Sequence, residues 1–249
     1  MRLQEFFISN PRAAIAFSGG ADSSYLLYAA KAAGCDVKAY YIKSQFQPQF
    51  ELDDATRLAA LLDVPLRIET IDILGETPIA DNPPDRCYYC KSAILSKLRE
   101  LAFADGFTVL CDGTNADDDD TDRAGSRAVR ELGVLSPLRD CGLTKADIRR
   151  LSADAELFTH DKPAYACLAT RIPAGTSITE QALIKIERAE NILFDMGFTD
   201  FRVRIVPPSE AKIQMRGDQW DDAAARRKQI LTALQPDFNS VTLDMATRL

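Results

Sequence analysis

This chain has one histidine, His160, and one tryptophan in 249 residues. A zinc site therefore has little to draw on besides cysteine. No apolar run approaches the ~18 residues of a membrane span, and Met1-Arg2-Leu3-Gln4-Glu5 lacks a signal-peptide layout, so a cytoplasmic location with no membrane partner is expected. Positive charge is in deficit: 30 Lys and Arg against 37 Asp and Glu, a net −7. That balance argues against nucleic acid as a partner, although a local basic groove remains compatible with it. Neither G-x-x-x-x-G-K-[ST] nor G-x-G-x-x-G occurs, which removes the two commonest phosphate loops. No internal repeat, low-complexity tract or glutaminase segment is present, and without the last an ammonia-using amide synthetase is not supported.

The apolar fraction of 46% and charged fraction of 27% are those of a globular chain, and the length suits a main domain with a smaller annex. The most informative stretch is Ser18-Gly19-Gly20-Ala21-Asp22-Ser23-Ser24. It follows the apolar run Ala13–Phe17 and precedes a helical pattern through Leu26, Leu27, Ala30 and Ala33. A strand turning through glycines into a helix N-terminus presents unpaired N–H groups and a positive dipole end, which suits phosphate. Ser18, Ser23 and Ser24 add hydroxyls, while Asp22 suits Mg²⁺ or helix capping better than direct phosphate contact.

Strands at 13–17, 36–42, 65–70 and 107–111 alternate with helical patterns at 22–33, 51–62 and 89–104. That order predicts an α/β fold with a doubly wound parallel sheet, the nucleotide lying at its carboxyl edge. Two loops interrupt it, at 74–86 and 112–123. The second carries Asp112-Gly113-Thr114-Asn115 and the acid run Asp117–Asp120, most simply a solvated mobile loop from which one aspartate could assist Mg²⁺. Thr144 with Asp147 forms a capping box for a further helix. Beyond the loop 160–177 the pattern becomes helix (179–196), two period-two strands (201–206 and 211–215), helix (218–234) and a strand near 241–243. This is a small C-terminal α+β domain with an antiparallel pair. Domains of 1–160, for ATP pyrophosphatase chemistry, and 161–249, for substrate, sulfur transfer and oligomerisation, are expected.

Of six cysteines, Cys35, Cys111 and Cys141 read as small buried thiols. Cys87-Tyr88-Tyr89-Cys90 is a C-x-x-C at a helix start, with both sulfurs on one side of the first turn. Together with Cys167 it supplies three thiolates, enough for a [4Fe–4S] cluster with one open iron; a zinc site and unrelated thiols are the alternatives.

These residues resemble the LarE family of ATP-dependent sulfur transferases. The likeness runs through Ser18–Ser24, Asp112–Asn115, Gly133-Val134-Leu135-Ser136-Pro137-Leu138, Leu143–Arg149, and Asp161-Lys162-Pro163-Ala164 leading to Cys167-Leu168-Ala169-Thr170-Arg171-Ile172-Pro173. It implies an adenine nucleotide alpha-hydrolase-like fold with a pyrophosphate loop. It also implies that the carboxylate of a pyridinium biscarboxylate mononucleotide is adenylylated and converted to a thiocarboxylate for the nickel-pincer cofactor. Cys87, Cys90 and Cys167 place the chain with the cluster-bearing branch, where sulfide at the open iron is the attacking group. The implied cofactors are ATP, Mg²⁺ and a [4Fe–4S] cluster; the implied partners are the small carboxylated mononucleotide, sulfide or a sulfur-donor protein, and a second copy in a homo-oligomer. Ser18, Gly19, Gly20, Asp22, Ser23, Ser24 and Gly113 are assigned to nucleotide and metal. Cys167, Arg171 and Asp22 are assigned to catalysis, Arg202 and Arg204 to the anionic substrate, and Glu190, at a position acidic in the family, to the same binding set. For Arg202 and Arg204 a solvent-facing strand edge, and for Glu190 a solvated helix face, are the plain alternatives. The competing functions are tRNA thiolation, which needs a basic cleft, and a cluster-bearing ATP or AMP sensor, which would release no pyrophosphate.

Overall fold

The computed structural model describes residues 2–118 and 124–246. The chain divides into two compact units, Met1–Ile73 with Asp85–Tyr165, and Leu74–Pro84 with Ala166–Leu249.

In the first unit β1 (Arg12–Ala16), β2 (Asp36–Lys43), β3 (Leu66–Thr70) and β4 (Leu110–Cys111) run parallel in the order β3-β2-β1-β4. Parallel neighbours need crossovers, and the helices Ala21–Ala32, Gln49–Leu61 and Arg86–Ala104 lie between successive strands. Alternation along the strands fills two cores. Ala13, Ile15, Val37, Ala39 and Tyr41 pack with Leu26, Leu27, Ala55 and Leu58. Ala14, Tyr40 and Ile42 pack instead with Leu95, Leu98 and Val129. The sheet is thus covered on both faces, which is why its strands read as near-continuous apolar runs.

β4 is shorter than the expected 107–111. Gly106 adopts φ +81°, and the Phe107 N–H turns back to the Ala102 carbonyl at 2.8 Å, so these residues close the preceding helix. Past β4, Leu135 joins the sheet edge by a single parallel bridge to Cys111. Two helices that the sequence pattern did not announce, Ala124–Glu131 and Pro137–Asp140, flank that bridge.

In the second unit the helix Glu180–Asp195 is capped by Thr179, whose hydroxyl accepts the Ala182 N–H at 3.2 Å. It packs on a sheet in which β5 (Arg202–Val206) and β6 (Glu210–Gln214) are antiparallel and β7 (Ser240–Leu243) runs parallel to β6. Leu193, Phe198, Val203, Ile213, Met215 and Leu234 form its core. The single helix expected at 218–234 is broken at Arg226 into Trp220–Ala225 and Arg227–Leu234. There the Arg226 guanidinium lies 4.3 Å from the Phe198 ring centre and donates to the Met196 carbonyl. The prolines and short helix of 74–84 join this unit through buried Asn82. Its amide donates to Pro173 O at 2.8 Å and Thr176 O at 3.1 Å, and its carbonyl accepts the Gly175 N–H at 2.8 Å. No described helix is long and apolar enough to cross a membrane.

Candidate functional site

The loop Ser18–Ser24 leaves β1 at the carboxyl edge of the sheet and opens the helix Ala21–Ala32, whose N-cap Gly20 offers no side-chain cap. The first-turn amides are therefore left for a ligand. Ser18 and Ser23 hydroxyls meet at 3.0 Å, and the Gly20 N–H points toward Ser18 Oγ at 3.4 Å. Gly19 holds φ +73°, and a Cβ there would stand 2.8 Å from the Glu51 carbonyl. A Cβ on Gly113 would stand 2.9 Å from the Ser23 backbone nitrogen, so the second loop fits against the first only because it has no side chain at that point. Both loops line a cavity of about 370 Å³ with Phe17, Ile42, Lys91 and Leu95, an apolar wall beside a polar floor. Ser24 is fully buried, and its hydroxyl has no hydrogen-bond partner.

The Asp112–Asn115 segment organises this cavity. Asp112 is buried and accepts hydrogen bonds from Thr114 Oγ1 and Ser136 Oγ, both at 2.7 Å. Buried Asn115 donates to Asp22 at 3.2 Å. Burial pushes the Asp22 carboxyl above the usual carboxylate range, the Asn115 hydrogen bond opposes this, and the Asp118 charge adds to the rise. A carboxylate so placed gains from a divalent cation, and the oxygen donors suit Mg²⁺. Asp117 and Asp118 are more ordered than a solvated acid run would be. Asp117 accepts the Lys145 N–H at 2.7 Å, and Asp118 accepts the Asn115 N–H at 3.1 Å. Asp119 and Asp120 lie outside the described residues.

Of the three thiols expected to be buried, Cys35 and Cys111 are so, while Cys141 is half-buried. Burial raises the thiol pKa of Cys35, Cys111 and Cys141. Cys87 is exposed, Cys90 and Cys167 are half-buried, and all are free thiols. That donor set fits thiolate ligation in its chemistry. Cys87 and Cys90 sit in the first turn of Arg86–Ala104, where Arg86 Nη2 approaches Cys87 Sγ at 3.9 Å. Cys167 belongs to the second unit. Among the described residues, no group of three or more His, Cys, Asp or Glu is gathered to hold a metal ion.

Cys167 caps the short turn Leu168–Arg171, and its carbonyl accepts the Thr170 N–H at 3.0 Å. Arg171 is expected from the sequence to have a catalytic role near the sulfur of Cys167. Instead its side chain is fully buried in a bidentate pair with Glu190, Nε to Oε1 at 2.9 Å and Nη2 to Oε2 at 3.1 Å. Its Nη1 donates to the Ala166 carbonyl at 2.7 Å. Glu190 is not a solvated helix residue: it is 1% exposed and also accepts the Val203 N–H at 2.8 Å. Arg202, 5% exposed, is not on a solvent-facing edge either and donates to the Phe201 carbonyl. Arg204 is half-buried and donates to the Thr170 carbonyl and Gln214. Loop, helix and β5 are thus joined through charged groups, with Arg171 tied to the backbone next to Cys167.

Over 237 residues the chain is 32% identical to pyridinium-3,5-bisthiocarboxylic acid mononucleotide synthase of Lactiplantibacillus plantarum, covering 94% of this chain and 86% of that protein. The chain belongs to the LarE family. It is also 35% identical over 203 residues to an uncharacterized protein of Synechocystis sp., covering 81% of this chain and 76% of the other. A third relative, an uncharacterized protein of Methanocaldococcus jannaschii, is 33% identical over 202 residues, covering 81% of this chain and 77% of that protein. No protein-family model matches. The sequence pattern missed three cations of this LarE-family chain: Arg86, Lys91 in the cavity wall, and Lys162, whose ammonium reaches the Gly19 carbonyl at 3.2 Å. Lys162 stands within the Asp161–Ala164 segment, so only its partner across the fold was hidden.

Proposed function

We propose that this protein is an ATP-dependent sulfur transferase that adenylylates a carboxylate of pyridinium-3,5-biscarboxylic acid mononucleotide and converts it to a thiocarboxylate. The observation that carries the reading is the 32% identity over 94% of the chain to the Lactiplantibacillus plantarum synthase. The cavity beside Ser18–Ser24, with its open helix N-terminus, supports it.

A carboxylate resists attack because oxide would have to leave. Transfer of AMP to that oxygen supplies a phosphate leaving group and releases pyrophosphate. Ser18, Gly19, Gly20, Ser23 and the amides of the first helical turn cradle the departing pyrophosphate, with Gly113 closing the cradle; Ser24, assigned to the same group from the sequence, is fully buried behind it. Asp22 would hold Mg²⁺, whose contribution when bound is to offset phosphate charge. The apolar wall near Leu95 receives the adenine. Cys87, Cys90 and Cys167 would supply the thiolates for a [4Fe–4S] cluster, and the chemistry such a group would bring is the carriage of sulfide. Arg171 and Glu190 fix the backbone that carries Cys167, and Arg204 holds the same turn through the Thr170 carbonyl.

The test is anaerobic incubation of reconstituted protein with Mg-ATP, sulfide and the biscarboxylate mononucleotide. One pyrophosphate per thiocarboxylate is expected, with a product about 16 Da heavier for each oxygen replaced by sulfur. Pyrophosphate release that does not depend on the mononucleotide, or none at all, overturns the reading.

A further inference from the structure

Lys162 lies beside the phosphate loop, yet nothing in the chemistry above uses it. Its side chain is 14% exposed, and its Nζ donates to the Gly19 carbonyl at 3.2 Å and to Asp54 Oδ2 at 2.7 Å. The ammonium also stands 5.4 Å from the centre of the Phe50 ring. Its own backbone is held too, since Arg149 Nη2 donates to the Lys162 carbonyl at 3.0 Å. Asp54 and Phe50 come from the helix Gln49–Leu61, the same helix whose Glu51 carbonyl crowds Gly19.

The consequence follows from peptide geometry. In a trans peptide the carbonyl of one residue and the N–H of the next point in opposite directions. A Gly19 carbonyl held toward Lys162 turns the Gly20 N–H away from it, toward the Ser18 hydroxyl at the mouth of the cavity. Glycine has little conformational preference of its own, so a Gly-Gly peptide flips readily unless something fixes it. We infer that Lys162 is the positioning residue of the phosphate loop: by holding the Gly19 carbonyl it keeps the Gly20 N–H presented to a pyrophosphate group. This rests on the reading of Ser18–Ser24 as a pyrophosphate site and adds to it the residue that sets the loop's active orientation.

Calorimetric titration of the full chain with inorganic pyrophosphate and, separately, with adenosine tests the inference, both in the presence of Mg²⁺. Lys162→Met is expected to weaken pyrophosphate binding about tenfold or more, the worth of a charge-assisted hydrogen bond, while adenosine binding stays within about twofold. Lys162→Arg, which keeps the charge and the donor, restores part of the loss. Asp54→Asn leaves Lys162 on Gly19 and keeps pyrophosphate affinity within about threefold. Unchanged pyrophosphate affinity in Lys162→Met overturns the inference. So does equal loss of both probes, which marks a structural lysine, and so does an Asp54→Asn defect as large as that of Lys162→Met. Wild-type protein that binds adenosine but no pyrophosphate defeats the reading of the loop itself, and is thereby distinguished from failure at Lys162 alone.

Discussion

Asn115 reaches across 93 residues of sequence to donate its side-chain amide to the Asp22 carboxylate at 3.2 Å. The two loops that meet there leave β1 and β4, neighbours in the sheet. Burial raises the Asp22 pKa and Asn115 lowers it, so removing Asn115 leaves the first effect less opposed. If ionised Asp22 holds Mg²⁺, Asn115→Ala shifts the acid limb of the pyrophosphate-release profile to higher pH. An acid limb that stays in place, measured as kcat/KM against pH, removes Asn115 from this role.

The same carboxylate affects stability in the opposite sense. A group whose folded pKa lies above its unfolded value contributes stability below the unfolded pKa, and this is lost as pH rises through the folded pKa. Asp22 is of this kind, so at neutral pH the ligand-free protein carries a half-buried charge that the unfolded chain hydrates more fully. Asp22→Asn is expected to abolish ATP turnover yet leave the melting temperature of the ligand-free protein equal or higher. A clear fall in melting temperature would show that Asp22 serves the fold.

Asp105 makes the converse case at the other end of the sheet. It accepts Lys38 Nζ at 2.6 Å, Arg67 Nη1 at 2.8 Å and the Tyr40 hydroxyl at 2.9 Å, chiefly the first, and its pKa is held down to about 2. A depressed carboxylate contributes stability above its unfolded pKa, ~4, that is lost as pH falls through the folded value. Asp105→Asn should therefore flatten the loss of unfolding free energy between about pH 4 and 2. Denaturant titrations across that range decide the matter; identical slopes in both proteins exclude Asp105 as a source of acid sensitivity.

Residue patterns gave away some of this molecule and concealed the rest for physical reasons. Strand–helix alternation, the glycine turn and the Thr144 capping box are local, and the structure has all three: Thr144 Oγ1 accepts the Asp147 N–H at 3.1 Å. The helix Ala124–Glu131 was hidden, since it follows an acid-rich stretch and buries only Ala128 and Val129. Arg171 is legible as important but reads as catalytic, because no local signal tells a guanidinium that meets ligand from one that meets a glutamate 19 residues away. Lys162 and Arg86 were missed for the same reason: their partners, Gly19 and Phe46, are distant in sequence.

The Arg171–Glu190 pair lends itself to a stability test. Both side chains are essentially inaccessible, at 0% and 1% exposure, and removing one partner leaves the other charge buried. Such a loss costs about 3–5 kcal/mol. Arg171→Met is expected to lower unfolding free energy by that amount, and Arg171→Met with Glu190→Met by clearly less. Additive losses in this double-mutant cycle would show that the two act separately.

The cysteines separate sulfur delivery from carboxylate activation. The phosphate loop Ser18–Ser24 contains none of the three cysteines, so the two halves of the reaction are open to separate damage. Cys87→Ala, Cys90→Ala and Cys167→Ala are each expected to abolish thiocarboxylate formation while sparing mononucleotide-dependent pyrophosphate release. If the three thiolates hold a [4Fe–4S] cluster, anaerobically reconstituted protein carries about four irons per chain and absorbs near ~400 nm, and each variant loses the band. Colourless protein with bound zinc would instead make the metal structural. Intact-mass measurement after turnover discriminates further. A cysteine that had given up its own sulfur leaves the chain about 34 Da lighter, the mass of H₂S, whereas sulfide supplied from outside leaves Cys167 unchanged. Repeated turnover with an unchanged mass is the outcome expected here, because Cys167 is then a ligand to the metal and not the reagent.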